Sequence, residues 1–134
     1  MSQSIYHIEI PVHVEFEDVD AYKIVHHTKL IAFLERARVR FFRKYGIDVI
    51  TGDYSIVLHK LNIRFAATAK FQDELTVEAS LDSADESRIR MNYKIRRNRS
   101  LIVKAKSELA CIDMNTQSIT LFPKPLLEQF RQNT

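Results

Sequence analysis

The chain predicts an α+β fold, in which one long helix is wrapped by an antiparallel sheet of about five strands. Three observations carry this. Apolar and polar residues alternate through the first strand-length segment and through several segments after residue 54, the period-two mark of half-buried strands. Between them, over residues 29–45, the spacing changes to i, i+3, i+4, i+7, which lays one apolar stripe along a helix. Short polar breaks join these segments, as in a layered packing of one helix on one sheet.

The first strand places Ile8, Ile10, Val12, Val14 and Phe16 on one face and His7, Glu9, Pro11, His13 and Glu15 on the other. Pro11 has no N–H for a ladder, so this strand belongs at an edge or a bulge. A polar break over residues 17–23 precedes the helix. Its stripe is Leu30, Phe33, Leu34, Ala37, Phe41, Phe42 and Tyr45, with Thr28 as the expected N-cap and Gly46 as the expected residue past the C-terminus. Residues 55–66 read as a strand whose apolar phase slips between Leu58 and Leu61, predicting a bulge near His59-Lys60. Three alternating runs follow: Leu75, Val77, Ala79, Leu81; Ile89, Met91, Tyr93, Ile95; and Leu101, Val103, Ala105. Asn98-Arg99 is the expected hairpin turn between the last two. Residues 109–112 are apolar on both faces and should be covered on both. A short strand at 119–122 and a helical turn at 125–132 complete the expectation.

Composition narrows the function. The chain has 134 residues, 46% hydrophobic and 28% charged, which fits one domain over 1–134 without disulfide staples. It holds two glycines, where about nine would be usual at roughly 7%. That scarcity excludes the Gly-rich phosphate loop, the dinucleotide fingerprint and the nucleophile elbow. A net charge of +3 suits a phosphate-bearing ligand or an acidic partner and does not point to nucleic acid. Cys111 is the sole cysteine and sits among strand-core residues, so no internal disulfide forms and a reducing compartment is expected. No run is long enough for a membrane span, and residues 1–6 lack the pattern of a secretory signal, so a cytoplasmic location is expected.

Reactive side chains concentrate between the first strand and the helix, where Asp18, Asp20, His26 and His27 fall within ten residues. A helix start offers unpaired N–H groups and the positive end of a dipole, which suit a developing oxyanion. A carboxylate beside it can act as base or nucleophile, and a histidine can orient water or a carbonyl. On spacing alone the same residues also read as turn formers and packing or capping groups. The spacing does not match common zinc sites, so no metal and no cofactor is expected.

The run from Val14 through Glu15-Phe16-Glu17-Asp18-Val19-Asp20-Ala21, then Ile24-Val25-His26-His27, then Ala32-Phe33-Leu34-Glu35-Arg36-Ala37-Arg38, resembles the signature of the 4-hydroxybenzoyl-CoA thioesterase-like hot-dog proteins. It is especially similar to the small acyl-CoA thioesterases associated with the Tol–Pal system. The likeness continues through His59-Lys60-Leu61, through Phe65-Ala66-Ala67-Thr68-Ala69-Lys70-Phe71, and to Pro123-Lys124-Pro125. It implies a hot-dog fold and hydrolysis of acyl-CoA or acyl-carrier-protein thioesters. It assigns catalysis to Asp20 and His27, with Asp18 structural and His26 replacing a tyrosine. Tyr22, His26 and Thr28 become substrate-binding candidates, together with Lys60, Arg88 and Arg90. It further implies active sites at a homodimer interface, with a tetramer of two dimers common. Tyr22-Lys23 stand where the family usually carries two glycines, Lys29-Leu30 replace the usual Asn-Tyr or Ser-Tyr, and Thr68 replaces a proline, so a reshaped pocket is expected.

Two further groups have both plain and functional readings. Glu35 and Arg38, three apart on the helix, are expected to form a surface or interface ion pair. Glu35 with His27 would instead suit a dehydratase, and Asp20 with His26 loosely mimics a hydratase. Arg88, Arg90, Lys94, Arg96, Arg97 and Arg99 read as a solvated strand face, or as contacts to CoA phosphates or an acidic carrier. A silent binding module, its site blocked by Tyr22 and Lys23, is the third possibility.

Overall fold

In a computed structural model that describes residues 5–132, the chain opens with strand β1 (His7–His13) and a 3-10 turn at Phe16–Asp18. Helix α1 (His27–Lys44) follows, then β2 (Tyr54–Phe65), β3 (Glu74–Ala84), β4 (Ile89–Arg97) and β5 (Ser100–Asp113). The two-residue β6 (Ile119–Thr120) and helix α2 (Lys124–Gln132) close it. All pairings are antiparallel in the order β1-β3-β4-β5-β2, with β6 added to β5, so the five expected strands become six.

Helix α1 crosses one face of the sheet, against β3 and β1. Its stripe of Leu30, Phe33, Leu34, Ala37, Phe41 and Phe42 is buried in one cluster with Val12, Val77, Ile95 and Leu109. Each such large side chain contributes about 1.5–3 kcal/mol when fully buried. At the C-terminal end of α1, Phe41, Tyr45 and Tyr6 pack with Phe130 of α2, which closes that end of the core.

Several local expectations hold for their stated reasons. Pro11 lies on an edge strand, because β1 ends the sheet. The register slips between Leu58 and Lys60. Asn98 turns the β4–β5 hairpin with φ 55°, and Gly46 follows α1 with φ 75°. Leu109, Ala110 and Cys111 are wholly buried, and the two apolar runs around them form one strand of 14 residues.

Two details differ. The helix begins at His27 with His26, not Thr28, as its N-cap, and no side chain caps it. The apolar stripe marks only where the helix first meets the core, at Leu30, and the preceding turn projects beyond it. Phe16 is not on the buried face but 73% exposed. The strand stops at His13, and the Asp18 carboxylate accepts the Glu15 N–H at 2.9 Å to bend the chain. Phe16 then packs edge-on against Phe71.

The topology gives the sheet two functionally distinct ends. The β1–α1 connection, residues 66–73 and the β4–β5 turn share one end. The β3–β4 hairpin lies at the other, about 35 Å away along the 11-residue β3. Among the described residues no strand covers the outer edge of β2. No helix there is long and apolar enough to cross a membrane.

Candidate active site

The segment before α1 folds back on itself as a small hairpin. Val19 bridges Val25, the Asp20 N–H donates to the Ile24 carbonyl at 2.9 Å, and the Lys23 N–H donates to the Asp20 carbonyl at 2.9 Å. This places Lys23 in the left-handed region at φ 64°, a conformation a glycine adopts without penalty. The hairpin is anchored to the loop before β3: Ile24 bridges Lys70, and the Val25 N–H donates to the Ala69 carbonyl at 2.9 Å.

Within that frame the two aspartates are used differently. Asp18 is buried, takes the Glu15 N–H, and lies 3.8 Å from the Lys29 ammonium. Its carbonyl accepts the His26 N–H at 3.1 Å, so it ties the 3-10 turn to the start of α1. Asp20 is half-buried, and its Oδ1 accepts N–H groups from Tyr22 at 2.8 Å and Ile24 at 3.2 Å. No described hydrogen bond reaches its Oδ2. One carboxylate oxygen is thus held by the loop while the other remains available to chemistry.

The helix start complements it. The Lys29 N–H is taken by the His26 carbonyl at 3.0 Å, but the N–H groups of His27 and Thr28 have no partner among the described residues. They are the amides at the positive end of an 18-residue helix. The exposed His27 ring packs against Phe65 at the end of β2, centroids 4.6 Å apart and planes tilted by 33°. No hydrogen bond joins His27 to Asp20 among the described residues.

The other expected site residues scatter. Tyr22 is 85% exposed at the hairpin tip and fills no pocket within this chain. Lys60 lies in mid-β2, in register with Glu108. Arg88 and Arg90 sit at the β3–β4 end, where Arg90 approaches Asp85 at 3.4 Å and Glu108 at 3.9 Å. Within one chain they are therefore separated from Asp20 by the length of the sheet. Within one chain Glu35 lies two turns beyond His27, about 12 Å along the axis. Among the described residues no group of three or more His, Cys, Asp or Glu side chains could hold a metal ion.

Sequence reasoning missed Phe65 and a cleft between α1 and β2. The cleft has a volume of about 290 Å³, with Ile31, Leu34, Glu35 and Arg38 on its helix side and Leu58 and Leu61 on its strand side. Its signal lies in two patterns of the sequence. His27, Ile31, Glu35 and Arg38 recur along one helix flank, and β2 keeps apolar side chains on its helix-facing row up to an exposed edge.

A long helix across a six-stranded antiparallel sheet is the layout of the hot-dog thioesterase class. Residues 14–130 match the model of the thioesterase-like superfamily, and the chain belongs to that family. It is 30% identical over 124 residues to an acyl-CoA thioesterase, YbgC, of Haemophilus influenzae, covering 90% of this chain and 91% of that protein. Among solved structures it resembles one described as a probable thioesterase from Bartonella henselae, with TM-score 0.80 and 24% identity over 88% of this chain and 98% of that one. It also resembles Slr0204, a 1,4-dihydroxy-2-naphthoyl-CoA thioesterase from Synechocystis, with TM-score 0.82 and 19% identity over 93% and 96%. Both structural likenesses establish the fold.

Proposed function

We propose that the protein hydrolyses acyl thioesters, acyl-CoA or acyl-carrier-protein, at the Asp20 end of the sheet. The observation that carries this reading is the Asp20 carboxylate, held through one oxygen at the N-terminal entry of α1 in a chain of the thioesterase-like superfamily. The thioester carbonyl oxygen lies toward the unpaired N–H groups of His27 and Thr28, which stabilise the charge that grows there during addition. Asp20 Oδ2 either attacks the carbonyl carbon or takes a proton from water as its oxygen adds. In the first route the tetrahedral centre expels the thiolate and leaves a mixed anhydride on Asp20, which water then hydrolyses to the acid. In the second, expulsion of the thiolate releases the acid directly. His27, packed at a tilt against Phe65 and not bonded to Asp20, orients the carbonyl or the water. Thiolate is a good leaving group, so the protein's task is placement and oxyanion stabilisation.

The same reading includes a homodimer joined along β2. Past Ile56, where residues 49–51 cease to pair with it, the outer edge of β2 carries Leu58 and Phe65, 42% and 39% exposed, and is a template for pairing with another chain. Antiparallel pairing of two such edges would bring the partner's β3–β4 end, with its basic residues, to the same end of the joint sheet as this subunit's Asp20. Lys60, near the middle of β2, would lie close to the two-fold axis.

The test is free-thiol release from a panel of acyl-CoA and acyl-carrier thioesters, with sedimentation velocity on the same samples. Thiol release that vanishes in Asp20→Asn supports the reading. Water addition to enoyl thioesters without thiol release points to a hydratase, and binding without turnover to a silent module.

A further inference from the structure

The cleft between α1 and β2 contains an electrostatic mismatch that the hydrolytic reading leaves unused. The Arg38 side chain is only 12% exposed and forms part of the cleft wall, yet its nearest carboxylate, Glu35, is 3.9 Å away. That is too long for a hydrogen bond, and no described residue accepts one from its guanidinium. Beyond this long ion pair its five N–H donors meet no protein acceptor among the described residues, and they lie in the cleft wall where a ligand oxygen can take them. The other walls offer no remedy. Ile31, Leu34, Leu58 and Leu61 are apolar, and the Tyr93 hydroxyl is engaged with Ser107 at 2.7 Å.

The position of the cleft indicates what can supply the missing acceptor. His27 and Arg38 are separated by about 16 Å along the axis, on the flank that faces β2. On its helix side the cleft begins at Ile31, one turn past His27, and ends at the guanidinium, so an acyl chain whose carbonyl sits at the helix start would enter it from that end. Its volume of about 290 Å³ lies at the small end of ligand pockets, which are roughly 300–1,000 Å³. That suits an acyl group and excludes a nucleotide carrier. We propose that the cleft receives the acyl group of the thioester and that Arg38 selects acyl groups whose far end carries an oxygen acceptor, hydroxyl or carboxylate, over plain alkyl chains. This rests on the acyl-thioester reading of the Asp20 end.

The test is equilibrium binding of non-hydrolysable S-alkyl-CoA thioethers, matched in length and ending in methyl, hydroxyl or carboxylate. They are titrated into the full chain as wild type, Arg38→Met and Arg38→Lys. Wild type should bind at least one oxygen-ended ligand about tenfold more tightly than the methyl-ended one. The two oxygen arms show whether the ligand is neutral or anionic. Arg38→Met should lose the preference while binding the methyl-ended ligand as well as or better than wild type. Its melting temperature should not fall, since an apolar side chain replaces a poorly paired buried charge. Arg38→Lys should retain part of any carboxylate preference. If Arg38→Met does not fold, wild type and Arg38→Lys decide the matter. Equal binding of all three ends by wild type, or no binding, overturns the proposal. So does a loss in Arg38→Met that is equal for all ends, or altered self-association in that variant with the end preference intact. Thiol release from the corresponding thioesters separates the two readings. End preference without hydrolysis refutes the hydrolase and leaves Arg38 assigned. Hydrolysis without end preference does the reverse.

Discussion

Replacing Asp20 in two ways separates its role in the loop from its role in the reaction. Asparagine keeps an oxygen where Oδ1 accepts the Tyr22 and Ile24 N–H groups at 2.8 and 3.2 Å, and it loses the charge and basicity of Oδ2. Alanine removes both acceptors. Each bond contributes about 1 kcal/mol net, so alanine should cost about 2–3 kcal/mol and asparagine under about 1 kcal/mol. For a chain of this length about 1 kcal/mol shifts the melting temperature by roughly 4 °C, giving a fall of roughly 8–12 °C for alanine and no more than about 4 °C for asparagine. Thioester turnover should drop by about a hundredfold or more in both, the scale expected for a general base or nucleophile. The assay pairs thermal unfolding with thiol release on the same preparations. Near-normal turnover in Asp20→Asn would remove this carboxylate from the mechanism. Equal melting temperatures for the two variants would show that Oδ1 does not hold the loop.

Lys23→Gly should raise the melting temperature by roughly 2–4 °C, because the residue sits at φ 64°, where a side chain costs about 1 kcal/mol; a fall in urea or thermal stability would contradict the strain. His13 should titrate above its usual 6.5, chiefly through its hydrogen bond to Glu74, with the charges of Glu74 and Glu15 adding to the shift. Its stabilising contribution is therefore full below about pH 6.5 and fades as pH rises through the folded value. An NMR titration of the His13 ring should move back toward 6.5 in Glu74→Gln, and an unchanged midpoint would refute the pairing.

Much of the site was legible as residue types and little of it as geometry. Asp20 and His27 stand out because a dense set of reactive groups precedes a helix, and helix starts are marked by a change of period. The division of labour between Asp18 and Asp20 came from the likeness to a family. The hydrogen bonds use the two carboxylates differently: Asp18 is consumed by the turn and Lys29, and Asp20 is held through one oxygen only. The N-cap was misread because apolar spacing reports contact with the core, whereas the helix extends one turn past that contact to His26. Within one chain the antiparallel register sets Arg88 and Arg90 at the other end of β3 from Asp20, which spacing along the sequence does not reveal. The Glu35–Arg38 spacing predicted an ion pair, and the pair is present but long, with the arginine in a cleft wall.

What the sequence by itself determined is local: which segments alternate, which one turns helical, where the chain must bend, and which carboxylate adjoins a helix start. These follow from periods of two and 3.6 residues and from backbone limits, which act between near neighbours. What only the tertiary structure decided is which distant segments meet. Phe65 lies against His27, Ala69 and Lys70 brace the Asp20 hairpin, and β2 faces the helix flank that ends at Arg38. Strand order and register set those meetings, and they depend on how all the strands share one core rather than on the pattern within any one of them.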